Sequence, residues 1–129
     1  MSSSSYYHLL MQDYMRSKRS FEEKKTDYNA YLKKIQNLRT DLDEAYDDLV
    51  KSETNFKDGG YVNDGVIIGQ DTIKNSYQLL KNSIDRLDKV IQNTKNRIDD
   101  YINEINKYKR LYNEAKRNYE NALENESAE

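Results

Sequence analysis

All four glycines of this 129-residue chain fall within residues 58–69, Asp-Gly-Gly-Tyr-Val-Asn-Asp-Gly-Val-Ile-Ile-Gly, and proline is absent throughout. The long arms on either side therefore hold neither of the residues that interrupt an α-helix, by chain entropy in one case and by a missing N–H in the other. Gly59 and Gly60 supply left-handed positions that close a helix C-terminus. Asn63, Asp64 and Gly65 form a turn signal, because each tolerates positive φ or bonds its own backbone. The chain is expected to reverse here, with Gly59, Gly60, Tyr61, Asn63 and Gly65 as the bend residues.

Both arms carry a seven-residue repeat. From Tyr7 onward, Tyr14, Phe21, Tyr28, Ile35, Leu42, Leu49 and Phe56 are all aliphatic or aromatic. The row three residues later reads Leu10, Ser17, Lys24, Tyr31, Leu38, Ala45 and Ser52, with Met11, Leu32 and Tyr46 flanking. On the second arm, Tyr77, Ile84, Ile91, Ile98, Ile105, Tyr112 and Tyr119 form one row. Leu80, Leu87, Thr94, Tyr101, Tyr108, Ala115 and Ala122 form the other, with Ile102 and Leu123 on its margin. Paired rows at this period are the signature of helices that pack along one seam.

The expected fold is all-α, a single domain over 1–129 built as a long antiparallel two-helix hairpin of coiled-coil type. Helix 1 is expected over about 6–57, the bend over 58–69 and helix 2 over about 70–124. Helix 2 has two possible N-caps, Asp64 and Asp71. A bend near residue 63 places Leu49 near Tyr77, Leu42 near Ile84 and Ile35 near Ile91. It also sets the acidic run Asp41–Asp48 at the level of Lys81, Arg86 and Lys89. The terminal stretches, four serines at one end and Glu124–Glu129 at the other, are expected to fray. One seam leaves both flanks wet, so the hairpin is expected to complete a helical bundle with a partner.

Several function classes are excluded by composition. Net charge is −2 with both signs interspersed, which lacks the basic stripe of a nucleic-acid binder. No apolar run is long enough for a membrane-spanning helix. The opening Met-Ser-Ser-Ser-Ser-Tyr-Tyr-His has neither a basic nor an apolar leader region. The chain is accordingly expected in the cytoplasm, or exported by a route that cleaves no signal peptide. Cysteine is absent, and the one histidine, His8, has no convergent partner for ligation or base catalysis. Asp41, Asp43, Glu44, Asp47 and Asp48 lack the spacing of a calcium loop and read as a solvated face. No Lys-Ser or Lys-Thr follows the glycines, so they form no phosphate loop. A non-enzymatic role with no cofactor and no metal is expected.

The twelve tyrosines carry more information. A tyrosine ring packs as a hydrophobe while its hydroxyl stays wet, which suits interfaces. They gather at the end of the hairpin away from the bend. Tyr7, Tyr14, Phe21, Tyr28, Tyr31, Tyr101, Tyr108, Tyr112 and Tyr119 are the candidate partner-binding rings. Tyr61, Val62, Val66, Ile67 and Ile68 make the bend apolar, either as a plug on the hairpin's end or as a contact tip.

Two amphipathic helices around a short glycine-bearing bend resemble the small Esx/WXG-type proteins of type VII secretion. Within that group the chain looks most like the accessory helical proteins encoded beside LXG toxins in Gram-positive bacteria. The family's bend motif is tryptophan, any residue, glycine; Tyr61-Val62-Asn63 stands in its place here, and the opening Tyr6-Tyr7 is also similar. The family's export signal, an aromatic followed four residues later by an acid, is missing: Phe21 is followed by Lys25, Tyr101 by Ile105, Tyr112 by Lys116 and Tyr119 by Leu123. The resemblance thus implies an accessory chaperone that packs on the helical N-terminal domain of an LXG-type toxin. A second small helical protein would supply the signal. The competing reading is a structural coiled-coil spacer that forms a homodimer.

Overall fold

The computed structural model describes residues 2–58 and 64–128, with side chains for 2–54 and 72–128. Two helices make up the fold, α1 over Ser3–Asp58 and α2 over Asp64–Ala128, and they pair as a helical hairpin. Among the described residues there is no strand. The chain divides into two compact units, each built from a length of both helices. One comprises residues 1–30 with 95–129, and the other residues 31–94.

Both helices run longer than the sequence boundaries suggested. α1 starts at Ser3 because Ser2 caps it: the Ser5 N–H donates to Ser2 Oγ at 3.2 Å, and the Tyr6 N–H to the Ser2 carbonyl at 3.1 Å. α1 has no acid in its own first turn, and Glu126 of α2 supplies one. Ser4 Oγ donates to Glu126 Oε2 at 2.7 Å and the Ser4 N–H donates to Oε1 at 3.2 Å. A carboxylate placed there satisfies orphan N–H groups and complements the positive end of the helix dipole. The termini expected to fray therefore hold each other, and α2 continues to Ala128.

α2 begins at Asp64, the earlier of its two possible starts, so residues 64–69 belong to the helix and not to the bend. Gly65 and Gly69 each cost about 1 kcal/mol relative to alanine in a helix interior. The helix extends through them because the row of Leu80 and Ile73 continues backward to Val66. Gly59, Gly60, Tyr61 and Asn63 lie outside the described residues. So do the side chains of Val62, Val66, Ile67 and Ile68, and with them the choice between plug and contact tip.

On α2 the two expected rows are the inward ones, every member of both being buried or half-buried from Tyr77 to Ala122. Ile98, Ala115 and Ala122 are buried, as is Thr94, whose hydroxyl donates to the Val90 carbonyl at 2.7 Å. That local bond removes the penalty of an unsatisfied hydroxyl in an apolar row.

On α1 the row beginning at Tyr7 also faces inward, with Ile35 buried and Tyr14, Phe21, Tyr28, Leu42 and Leu49 half-buried. Its companion differs from expectation. Of the expected row, Leu10 and Ser17 are half-buried, but Lys24, Tyr31, Leu38, Ala45 and Ser52 are exposed. The companion row that stays inward lies four residues on: Met11, Lys18, Lys25, Leu32, Arg39 and Glu53 are half-buried, and Tyr46 packs on Tyr77. The reason is that lysine and arginine carry three or four methylenes below their charge and lay that stem along apolar surface. Lys18 and Arg39 retain only 27% side-chain exposure, while their charges pair at the seam's margin, Lys18 with Glu22 at 3.1 Å and Arg39 with Asp88 at 2.8 Å.

In the 1–30/95–129 unit the seam is aromatic. Tyr14 meets Tyr108 at 6.2 Å between ring centroids, and Phe21 lies between Tyr108 at 5.9 Å and Tyr101 at 6.0 Å. Tyr28 meets Tyr101 edge-on at 5.2 Å. In the 31–94 unit Tyr46 meets Tyr77 at 5.2 Å, and Arg39 crosses to Asp88. Here Arg39 with Asp88, and not the acidic run with Lys81, Arg86 and Lys89, makes the cross-helix ion pair. Ring pairs contribute about 0.5–1.5 kcal/mol each beyond area burial. Partly exposed ion pairs contribute about 0–1 kcal/mol. The rings and aliphatic residues hold the seam, and the ion pair aligns it.

Ile98→Asp is expected to abolish the cooperative thermal transition of the 1–30/95–129 unit, because it places an unpaired charge at a buried seam position at a cost of several kcal/mol. Circular dichroism melting checks it. An unchanged midpoint would remove Ile98 from the seam.

Candidate interaction surface

The paired helices have two flanks of different character. One is marked by Arg39, which bridges Asp43 of its own helix and Asp88 of the other. In the 1–30/95–129 unit, His8 has Tyr119 at 5.7 Å and Gln12 Nε2 at 3.3 Å from its Nε2. Both carboxylates hold the Arg39 guanidinium above its ordinary pKa, its hydrogen bond to Asp43 most strongly and its hydrogen bond to Asp88 next. This side is charged and wet.

The opposite flank carries exposed apolar residues among its polar ones. Leu38 stands three residues after Ile35 and four before Leu42. Val90 has the same relation to Leu87 and Thr94. Neighbours at those spacings share one face of a helix. Leu38 and Val90 therefore overlie the inward rows on the flank away from Arg39 and Asp88. Leu38 is 49% exposed, Tyr31 47% and Val90 37%. Leu79, one residue before Leu80, is 68% exposed. Ala45 completes the α1 row. All five residues lie in the 31–94 unit.

The candidate rings are distributed over two roles. Tyr14, Phe21, Tyr28, Tyr101 and Tyr108 face one another within the seam, and Tyr119 packs on His8. Tyr7 is half-buried and touches Tyr6 at 5.3 Å. Tyr112 lines an open groove with Met11, Met15, Arg16 and Arg19. Of the nine, Tyr31 alone is classed as exposed. Lys24 lies over Phe21 at 5.0 Å and Lys107 over Tyr108 at 5.3 Å, so cations cover two seam rings from outside. Leu38, Leu79 and Val90 were missed by a search for aromatic residues. The signal that points to Leu38 is its place on the weaker α1 row, outside the half-buried companion.

No protein-family model matches this chain, and comparison with curated proteins and with solved structures likewise finds no match. The surface must be read from its own residues. Among the described residues no group of carboxylates or histidine is arranged to hold a metal ion, and no helix is long and apolar enough to cross a membrane. What the arrangement does chemically is pack: an apolar strip beside a charged margin, on helices whose seam is closed by rings.

Two seam tyrosines are tuned by their surroundings. Burial pushes the Tyr77 hydroxyl up to about 12, with a hydrogen bond to Glu53 and the neighbouring Tyr46 adding to it. Burial and a hydrogen bond with Tyr28 raise Tyr101 in the same direction. The neutral phenol is thus favoured in the fold. Its stabilisation is whole below the unfolded value of about 10 and is lost as pH rises through the folded one. Between pH 10 and about 12 the melting temperature is expected to fall, and Tyr77→Phe is expected to flatten that fall. Equal slopes for the two proteins would show that Tyr77 does not sense the seam.

Proposed function

We propose that this chain is a non-enzymatic binding module, an accessory chaperone whose apolar flank packs against the helical N-terminal domain of an LXG-type toxin during type VII secretion. A second small helical protein joins the complex and carries the export signal that this chain lacks. The observation that carries the reading is the exposure of Tyr31, Leu38 and Val90 on one flank of the 31–94 unit.

The degree of burial supports it. Among the described residues only Ile35, Ile98, Ala115 and Ala122 bury apolar side chains, and no large side chain is fully buried. A partner whose own helices carry an apolar face removes the exposed Tyr31, Leu38 and Val90 from water. For the toxin domain the same contact hides surface that would otherwise aggregate. The architecture of two amphipathic helices about a glycine-bearing bend is what ties the partner to the LXG class. The ring pairs Tyr14 with Tyr108 and Phe21 with Tyr101 belong to the hairpin's own seam, so of the nine candidate rings Tyr31, which is exposed, and Tyr112, which lines an open groove, remain to meet a partner.

Coexpression with the helical N-terminal domain of an LXG-type toxin, and with a small helical protein that carries the export signal, tests the proposal by size exclusion. A complex containing all three chains is expected. The triple substitution Tyr31→Ser, Leu38→Ser and Val90→Ser is expected to weaken it by about ten-fold or more without loss of helicity. A chain indifferent to the toxin domain, with or without those substitutions, would contradict the reading.

A further inference from the structure

The exposed row of α1 in the 31–94 unit has an internal asymmetry. It reads Tyr31, Leu38, Ala45 at intervals of seven, a large residue and a small one on either side of Leu38. Beside it stand Lys34 and Asp41, one cation and one anion, also on either side of Leu38. All five are exposed. Within one copy none of these complements meets. Tyr31 and Ala45 are about 21 Å apart along the helix, and Lys34 and Asp41 about 10 Å apart. Neither Lys34 nor Asp41 forms an ion pair among the described residues.

We propose that this row is a self-association surface. A second copy of the chain docks there with its α1 antiparallel to the first, about a two-fold axis at Leu38. Reversing the helix about Leu38 sets Tyr31 of each copy over Ala45 of the other, large on small. It sets Lys34 over Asp41 to within one residue's rise, cation on anion, twice by symmetry. Leu38 meets itself at the axis. Val90, which shares this flank, lies at the margin of the same contact. A contact of this kind is isologous, so it closes at two copies and does not propagate. Other pairings fit the charges less well. Laying the copies with the same polarity would set Asp41 on Asp41 and Lys34 on Lys34.

The dimer uses the surface that the proposed partner would cover, and to that extent it rests on the same reading of the strip. The two occupants exclude each other. Self-association keeps the strip from water until a partner with a better-matched face displaces the second copy, so that chain concentration and partner concentration set which complex forms.

The chain has no cysteine, which makes the test direct. Analytical ultracentrifugation of the full chain is expected to show a reversible dimer. Under mild oxidation Leu38→Cys is expected to form an intermolecular disulfide faster than Leu79→Cys, although Leu79 is the more exposed residue. Tyr31→Cys mixed with Ala45→Cys is expected to cross-link as a heterodimer in preference to either alone. Lys34→Asp is expected to raise the dimer dissociation constant by about ten-fold, and Lys34→Asp combined with Asp41→Lys to restore it. Circular dichroism checks that these exposed substitutions leave the helices intact. Two results would overturn the inference: a monomer at every concentration, or Leu38→Cys cross-linking no faster than Leu79→Cys. A chain that stays monomeric yet captures the toxin domain refutes the dimer and leaves the proposed function standing. A dimer that forms as described and ignores the toxin domain does the reverse.

Discussion

A pair of helices shares one seam, and a side chain not on that seam faces solvent or another molecule. The interlocked rings of Tyr14, Tyr108, Phe21, Tyr101 and Tyr28 occupy that seam in the unit of residues 1–30 and 95–129. Rings are wide, and they fill the space between two backbones with few residues per turn. Small partners, Ala115 and Ala122, take the remaining positions and are the most completely buried apolar residues of α2 together with Ile98. Once those positions are taken, the apolar residues of α1 outnumber the places the seam offers. The surplus is what makes an interaction surface.

Which residues become surplus is decided on α1 by the balance between two companion rows. One offers Leu10, Tyr31, Leu38 and Ala45 among serines and a lysine. The other offers Met11, Leu32 and Tyr46 among Lys18, Lys25, Arg39 and Glu53. Judged by residue type the first is the more apolar. Judged by atoms near the backbone the second competes, because each long cation brings a hydrocarbon stem and can carry its charge out to the margin. Arg39 then contributes a directional contact that no leucine could make, joining Asp43 and Asp88 at the seam's edge. From Lys18 on, the cations line the inside, and Tyr31, Leu38 and Ala45 of the other row remain outside.

This explains which parts of the fold and of the surface were legible in the sequence. The two rows of α2 were readable from Tyr77 to Ala122, since they are apolar at every position but Thr94 while their flanks are mostly polar. The row from Tyr7 on α1 was readable because all of its members are aliphatic or aromatic. The companion row of α1 was not, because periodicity treats Lys18, Lys25 and Arg39 as polar and ignores their stems. The cap on α1 was half legible: the serines announced a capping residue, but Glu126 reaches Ser4 from the far end of the sequence, where no local pattern can show it. The early start of α2 was weighed and left open, since glycine at positions 65 and 69 opposes the helix while the apolar row extends it. Tyrosine clustering found the seam rings and Tyr31. It passed over Leu38, Leu79 and Val90, which matter through exposure and not through residue type.

The claim on which the account depends is the register that sets Arg39 of α1 against Asp88 of α2. Intramolecular disulfide formation in the cysteine-free chain measures it most directly. Arg39→Cys combined with Asp88→Cys is expected to close faster under mild oxidation than Arg39→Cys combined with either Lys81→Cys or Lys95→Cys, which report a slip of one heptad in each direction. Faster closure with either of those two would mean that the same rows pair one heptad away, and the level at which Arg39 and the seam rings meet their partners on α2 would be wrong.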